Sequence, residues 1–179
     1  MLRAWLLLVL WLAGGTALAQ PGEVAVRDAD RYVLSKSFMF LEDKDGKLSI
    51  DDVQKPDAQS RFRPVDSSGP GANFGLTRSA IWLKVMLNTA STSREDWFLE
   101  IAYPPLDRFE LYSPGASGFQ KQTGGDLYPF SHRAVPHRNH VVPVRLNRGQ
   151  SNVIYLRIQS EGTVAAPATL WQPEALWQH

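Results

Sequence analysis

The sequence predicts an all-β domain, an antiparallel β-sandwich or barrel, from three observations. About eight short segments are apolar or alternate apolar with polar residues, as strands do. Clusters of Gly, Pro, Asn, Asp and Ser separate these segments at the spacing expected of turns. Helical periodicity is nearly absent after residue 31. Antiparallel sheets packed face to face, or closed on themselves, are typical of such a pattern.

Two segments show the alternation most clearly. The segment AIWLKVMLN (80–88) places on one face Ile81, Leu83, Val85 and Leu87. The segment NVIYLRIQS (152–160) does the same with Ile154, Leu156 and Ile158. Further strands are predicted at 96–103, 108–113, 139–146 and 167–172, with turns at 114–118, 123–126 and 147–150. Pro143 has no N–H to donate, so its strand is expected at a sheet edge or with a bulge.

The segment LEDKDGKLSIDD (41–52) imitates a calcium-binding loop when Gly46 takes the sixth position. The first ligand position then falls on Leu41, which has no ligand atom, and no flanking helices are evident. We therefore interpret DKDG as a tight turn stabilised by the aspartate side chains. Ser49 followed by two acids predicts one helical turn over IDDVQ (50–54). The Gly- and Pro-rich segment 61–75 predicts a long loop.

Residues 1–19 have the pattern of a signal peptide. One positive charge, Arg3, precedes an apolar run over residues 4–13, and a small-x-small site follows at 17–19. An uncleaved anchor is the alternative, but the run is shorter than the roughly 20 apolar residues of a spanning helix. We predict a signal peptide at 1–19, a lead-in at 20–37, and a sandwich domain at 38–175 in an exported, periplasmic protein.

Composition limits the partners. Removal of Arg3 with the leader leaves 18 basic against 18 acidic residues, which gives no support for nucleic acid or an anionic membrane as partner. The chain has no cysteine, so disulfides, thiol catalysis and thiolate metal sites are excluded. We expect no cofactor, no metal and no second membrane span.

The segment PFSHRAVPHRNHVVPV (129–144) contains three of the four histidines. His132, His137 and His140 could bind zinc or copper, but their spacings of five and three do not share one strand face. Arg133 and Arg138 offer planar donors for a carboxylate, phosphate or sugar hydroxyl. The alternative is that both arginines pair with neighbouring acids or lie in solvent.

Aromatic side chains form the remaining candidate set. Trp82 lies on the face opposite Ile81 and Leu83, where it could stack on a sugar ring or belong to the core. Trp97 is assigned to the core. Arg157 lies opposite the apolar face of its strand and is expected to face solvent or a pocket.

Several motifs occur in the order of a known bacterial family. The distinctive pieces are S-A-x-W-L (79–83), Y-P-x-L-D-R (103–108) and P-F-x-x-R-x-x-P-H-R-N (129–139). With the segments around them, they span about residues 38–172. The chain resembles the type-2 extracellular domain of receptors with seven transmembrane helices and diverse intracellular signalling modules (7TMR-DISM).

The resemblance implies a jelly-roll-like sandwich, similar to carbohydrate-binding modules, outside the cytoplasmic membrane. In the family, seven membrane helices and a histidine kinase or diguanylate cyclase follow. Two departures stand out. The chain ends at His179 before any such helix, as expected of an excised sensor domain, a truncated gene or a free periplasmic relative. Arg78 stands where the family often has an acid, which favours an anionic ligand over a cation.

The leading hypothesis is a non-catalytic sensor domain that binds a small polar ligand such as a sugar or carboxylate. The expected ligand contacts combine stacking with hydrogen-bond donors and are Trp82, Arg133, His137, Arg138 and Arg157. The alternative is an interaction module that forms a homodimer or binds another receptor ectodomain without a small ligand. An exported hydrolase is the third reading, and it lacks a recognisable catalytic constellation.

Overall fold

In a computed structural model that describes residues 21–178, most of the chain lies in short strands. The strands are β1 Glu23–Ala25, β2 Arg31–Val33, β3 Met39–Asp43, β4 Arg63–Pro64, β5 Asn73–Leu76, β6 Ala80–Asn88, β7 Asp96–Ile101, β8 Arg108–Gly115, β9 Gly118–Gly124, β10 His140–Arg145, β11 Ser151–Gln159, β12 Thr163–Ala165 and β13 Ala168–Trp171. The helices are α1 Ile50–Gln54, α2 Pro56–Ser60 and α3 Pro173–Leu176, with one 3-10 turn at Phe130–His132.

The strands form two main sheets that face each other. The larger sheet has the order β4-β3-β6-β11-β8-β9, and β1 adds to β6 in the only parallel pairing among the described strands. The smaller sheet has the order β10-β7-β13-β2, and β12 pairs with β5 in a separate ribbon. The chain crosses repeatedly between the sheets, from β6 to β7 to β8 and from β9 to β10 to β11. The predicted all-β, antiparallel, jelly-roll-like sandwich is confirmed.

The core lies between the two sheets, where the predicted apolar faces meet. Alternate residues of β6 and β11 point inward, and Leu83 lies opposite Leu156 in the antiparallel pair. Strands β7 and β13 supply Trp97, Leu99 and Leu170 from the other sheet, all within the same cluster. Burial of each such side chain contributes about 1.5–3 kcal/mol, so the alternation fixes which way each strand faces. Trp97 belongs to the core as predicted.

The outer face of the larger sheet carries a second apolar layer. Helices α1 and α2 lie on it and bury Val53 and Ala58 against Trp82 and Tyr155. Ser49 caps α1, because its Oγ accepts a hydrogen bond from the Asp52 N–H at 3.2 Å. In the other direction, the Asp52 carboxylate accepts a hydrogen bond from the Ser49 N–H at 3.0 Å. The predicted helical turn at 50–54 is therefore confirmed, and α2 continues the cover without having been predicted.

Two local predictions are confirmed by the backbone. The DKDG segment forms a turn in which Gly46 adopts φ 64°, and the Asp43 carboxylate accepts the Leu48 N–H at 2.9 Å. Strand β10, which contains Pro143, lies at an edge of the smaller sheet.

The structure adds elements that the sequence did not indicate. Strands β1 and β2 pair with β6 and β13, so residues 23–25 and 31–33 of the predicted lead-in 20–37 belong to the sandwich. The predicted loop 61–75 contains β4 and the start of β5. The predicted signal peptide, residues 1–19, lies outside the described residues. Between residues 21 and 178, no helix is long and apolar enough to span a membrane.

Candidate functional site

The five residues predicted to contact a ligand lie in two separate places. Trp82 and Arg157 are cross-strand partners on β6 and β11 of the larger sheet. Arg133, His137 and Arg138 belong to the segment that leads into β10 of the smaller sheet. The structure therefore does not bring them together in one site.

Trp82 is a core side chain rather than an exposed stacking platform. Its exposed fraction is 0%, and its ring stacks on Tyr112 with centroids 5.6 Å apart. Helices α1 and α2 cover it, and its Nε1 has no hydrogen-bond partner among the described residues. Of the two interpretations that the sequence left open, burial in a core is the one observed, and the ring is closed to ligands from solvent in this structure.

Arg157 is half-buried and connects β11 to the DKDG turn. Its Nη2 donates to the Gly46 carbonyl at 3.0 Å and to the Gln159 side-chain oxygen at 3.2 Å. A ligand would have to displace these bonds. Arg157 thus stabilises the turn beside α1.

The P-H-R-N motif is held as a turn by its own side chains. The Arg133 Nη1 donates to the carbonyls of His137, Arg138 and Asn139, and its guanidinium lies 4.9 Å from the Phe130 ring centroid. The His137 Nδ1 accepts the Asn139 N–H at 3.2 Å. Arg133 and His137 therefore fix this turn, whereas the Arg138 side chain is exposed.

The same turn is fastened to the smaller sheet through a buried carboxylate. Asn139 Nδ2 donates to Glu100 Oε1 at 2.7 Å, and Trp171 Nε1 donates to Glu100 Oε2 at 2.8 Å. Glu100 is 7% exposed. Since a buried charge requires hydrogen bonds to compensate for lost hydration, these two donors hold the motif in place.

The three clustered histidines contact different neighbours. The His140 Nε2 lies 3.0 Å from the Pro104 carbonyl, His132 stacks on Tyr128 with centroids 4.7 Å apart, and His137 meets Trp177 edge-on. Burial lowers the pKa of His140. Within residues 21–178, no cluster of three or more His, Cys, Asp or Glu side chains could hold a metal ion.

A charged cluster lies on the outer face of the larger sheet, beside the Trp82 layer. Glu110 pairs with Arg108 at 2.9 Å and Lys121 at 3.0 Å, and it accepts the Tyr112 hydroxyl at 2.8 Å. Burial opposes ionisation, but the hydrogen bonds from Lys121 and Tyr112 outweigh it and lower the pKa of Glu110. Burial and the Glu110 hydrogen bond raise the pKa of Tyr112. The Arg108 guanidinium is therefore already paired with the Glu110 carboxylate.

A concave surface lies at one end of the sandwich, where several loops meet. This end cleft has a volume of about 630 Å³ and is lined by Arg78, Asp107, Arg108, Leu127 and the segment 159–161. Pockets of that size accommodate small molecules. The lining combines cations, carboxylates and one exposed leucine.

A buried hydroxyl lies beside the end cleft. Ser160 is 4% exposed, and its Oγ has no hydrogen-bond partner among the described residues. Leaving a buried hydroxyl unpaired costs about 1–3 kcal/mol. The oxygen is closed to solvent, so it lies behind the lining of the end cleft and not on its open surface.

The charged residues of the end cleft differ in how far they are already engaged. The Asp107 Oδ2 accepts the Glu161 N–H at 2.7 Å, which ties the two loops together. Arg108 is paired with Glu110. Arg78 and the Glu161 carboxylate are exposed and make no side-chain hydrogen bond or ion pair within residues 21–178. The end cleft therefore offers one free cation and one free anion.

None of these lining residues is among the five ligand contacts predicted from sequence, although Arg78 was expected to favour an anionic ligand. Asp107 and Arg108 belong to the Y-P-x-L-D-R motif, and Arg78 precedes S-A-x-W-L, so the motifs themselves contained the signal. Ser160 and Glu161 follow β11 directly. Only the folded chain shows that these distant segments meet.

A sequence model described as 7TMR-DISM extracellular 2 matches residues 35–172. The chain belongs to this family. The family is an extracellular sensor domain of receptors with seven transmembrane helices, which implies that this 7TMR-DISM domain is exported. The suspected resemblance is therefore confirmed. No curated protein sequence matches the chain significantly.

Solved structures with some similarity are β-glucuronidases from Ruminococcus gnavus. The complex with D-glucuronic acid superposes with a TM-score of 0.44 at 11% identity, covering 88% of this chain and 32% of the enzyme. The complex with C6-substituted uronic isofagomine gives a TM-score of 0.40 at 13% identity, with the same coverage of both chains. This 7TMR-DISM domain thus spans about a third of the length of those enzymes.

Proposed function

We propose that this chain is the non-catalytic, ligand-binding sensor domain of a bacterial transmembrane receptor, and that it binds a small polar ligand in the end cleft. The family supplies the receptor context. The observation that carries the assignment of the site is a cleft of about 630 Å³ whose lining includes Arg78 and Glu161, two exposed charged side chains without a side-chain hydrogen bond or ion pair within residues 21–178. In a full receptor, the ligand would act by binding one of two states of the membrane helices more tightly.

The end cleft supports this proposal better than the residues predicted from sequence do. Trp82 is buried, and the donors of Arg133 and Arg157 are engaged within the fold. The exposed Arg138 remains a candidate for a second contact surface. The end cleft, in contrast, has unpaired donors and acceptors facing one volume.

A thermal-shift screen of the protein, isolated after export of the full chain, tests the proposal. Sugars, hydroxy acids, amino acids and divalent cations are the probes, and a true ligand raises Tm with its concentration. Leu127→Trp narrows the end cleft at its rim, where Leu127 is 76% exposed. We expect this variant to lose the ligand-induced shift.

The matched control is Leu76→Trp, because Leu76 is 80% exposed but does not line the end cleft. It should retain the shift in full. Equal loss in both variants, or undiminished binding in Leu127→Trp, would remove the end cleft as the binding site. A turnover of any probe would contradict the non-catalytic assignment.

A second candidate function is an interaction module that dimerises or binds another ectodomain. The observation that favours it is the presence of large exposed apolar side chains, among them Leu76, Leu127 and Phe130. Sedimentation velocity at several concentrations distinguishes the two. A dimer that forms without ligand and dissociates in Phe130→Ser supports the interaction module, and a strict monomer with a ligand-dependent Tm opposes it.

A further inference from the structure

We infer that the end cleft is built for a small organic acid that carries hydrogen-bond donors next to its carboxylate. Such donors are the hydroxyls of a hydroxy acid or the ammonium of an amino acid. This inference rests on the proposed function of the end cleft and names the ligand class. Arg78 binds the carboxylate, and the carboxylate oxygens of Asp107 and Glu161 bind the donor groups.

Arg78 is the cation that is free to meet a carboxylate. It is exposed and has no hydrogen bond or ion pair with other described residues, whereas the neighbouring Arg108 is held by Glu110 at 2.9 Å. A guanidinium presents two parallel N–H donors that match the two oxygens of a carboxylate. A neutral sugar would leave this cation without a counter-charge.

The acceptors lie in two loops that border the end cleft, Asp107 just before β8 and Glu161 just after β11. Asp107 uses Oδ2 for the Glu161 N–H, and the carboxylate of Glu161 itself is exposed. Both are carboxylates, so they accept from hydroxyl or ammonium groups and repel a ligand that is only an anion. A simple carboxylate therefore satisfies Arg78 but not the acids.

The charges of the lining agree with this class of ligand. Two cations, Arg78 and Arg108, stand with two anions, Asp107 and Glu161, so the lining has no formal excess of either sign. A pure anion, a pure cation and a neutral sugar each leave part of the lining unmatched. A molecule with a carboxylate and adjacent donors matches both signs.

Isothermal titration calorimetry of the protein, isolated after export of the full chain, tests the inference. Gluconate and serine are the bifunctional probes, and propionate, ethanolamine and glucose each present only one of the functions. We expect gluconate or serine to bind at least about ten-fold more tightly than every single-function probe, because one lost charge-assisted bond corresponds to roughly that factor.

Two variants assign the roles. Arg78→Gln should weaken the bound acid about ten- to hundred-fold, and Arg61→Gln, an exposed arginine outside the end cleft, should leave it unchanged. Glu161→Gln should weaken serine far more than gluconate if the ammonium form is the ligand. An equal, small effect on both identifies the hydroxy acid.

The outcomes separate this inference from the proposed function. Tight binding of glucose or propionate that is lost in Leu127→Trp but unaffected by Arg78→Gln overturns the ligand class and keeps the end cleft as the site. Failure of gluconate and serine to bind also overturns the ligand class. Binding that survives in Leu127→Trp overturns both.

Discussion

The bond between Asn139 and the buried Glu100 allows a prediction with a worked magnitude. Asn139→Ala removes one donor, at 2.7 Å, from a carboxylate that is 7% exposed. Loss of a hydrogen bond to a charged group costs about 1.5–3 kcal/mol. We expect the free energy of unfolding in urea to fall by about that amount at pH 7.

Asn139→Asp goes further, because it places two carboxylates within hydrogen-bond distance. Carboxylates at this separation hold one proton between them in the folded protein. The unfolded chain releases that proton above about pH 4, so the folded state binds one proton more. Stability of this variant therefore increases as the pH falls, by about 1.36 kcal/mol per unit, or about 2.7 kcal/mol from pH 7 to pH 5.

Urea unfolding at pH 7 and pH 5, followed by tryptophan fluorescence, measures both effects. Asn147→Asp is the control, since Asn147 is exposed and the substitution changes the net charge by the same amount. The reasoning is refuted if Asn139→Asp shows no more pH dependence than Asn147→Asp. It is equally refuted if Asn139→Ala is as stable as the parent.

Three further predictions concern the turns and buried groups. Gly125→Ala, at φ 137° with its added Cβ 2.1 Å from a backbone carbonyl oxygen, should reduce stability by more than about 3 kcal/mol in urea unfolding. The free energy of unfolding should fall less in His140→Gln than in the parent when the pH is lowered from 6.5 to 5. Burial lowers the pKa of His140 from 6.5, so the unfolded parent binds the extra proton as the pH falls. Tyr112→Phe removes the 2.8 Å bond to Glu110 and should cost about 1.5–3 kcal/mol by the same urea assay.

Matched variants make each of these decisive. Gly118→Ala has φ 116° but no atom within 4 Å of the added Cβ, so it should cost only the backbone strain of about 1–3 kcal/mol. Similar losses at both glycines would show that no clash occurs at Gly125. Tyr155→Phe should be nearly neutral, because within residues 21–178 the hydroxyl of Tyr155 hydrogen-bonds only the uncharged side chain of Gln59. A parent and His140→Gln with parallel pH profiles would show that His140 titrates normally.

The strands of the sandwich were predictable where alternate residues are buried, because apolar residues then alternate in the sequence. Strands β6 and β11 alternate over nine residues each, so their inward faces follow from the sequence. Pro143 indicated an edge strand, because proline has no N–H to donate to a neighbouring strand. Ser49 indicated a helix start, because a serine hydroxyl can accept a hydrogen bond from the first free N–H groups of a helix. Strand β9, an exposed edge strand with few apolar residues, leaves no such trace.

The end cleft was not predictable for a different reason. Its lining comes from residues 78, 107–108, 127 and 159–161, which are far apart in the chain and lie in or beside loops. Periodicity identifies which side of a strand is apolar but not what lies on the other side. Trp82 illustrates the point, since only the packing of α1 and α2 shows that its face is covered.

The exposed edge at β10 bears on whether a strand of another molecule can pair with the smaller sheet. The Pro143 carbonyl accepts the Gln122 side chain at 2.8 Å, so it points away from the neighbouring β7, and the proline nitrogen, which has no hydrogen, points the same way. A foreign strand that approached here would find neither a donor nor a vacant acceptor at this residue. Sheet extension between molecules is thereby discouraged at this position of β10.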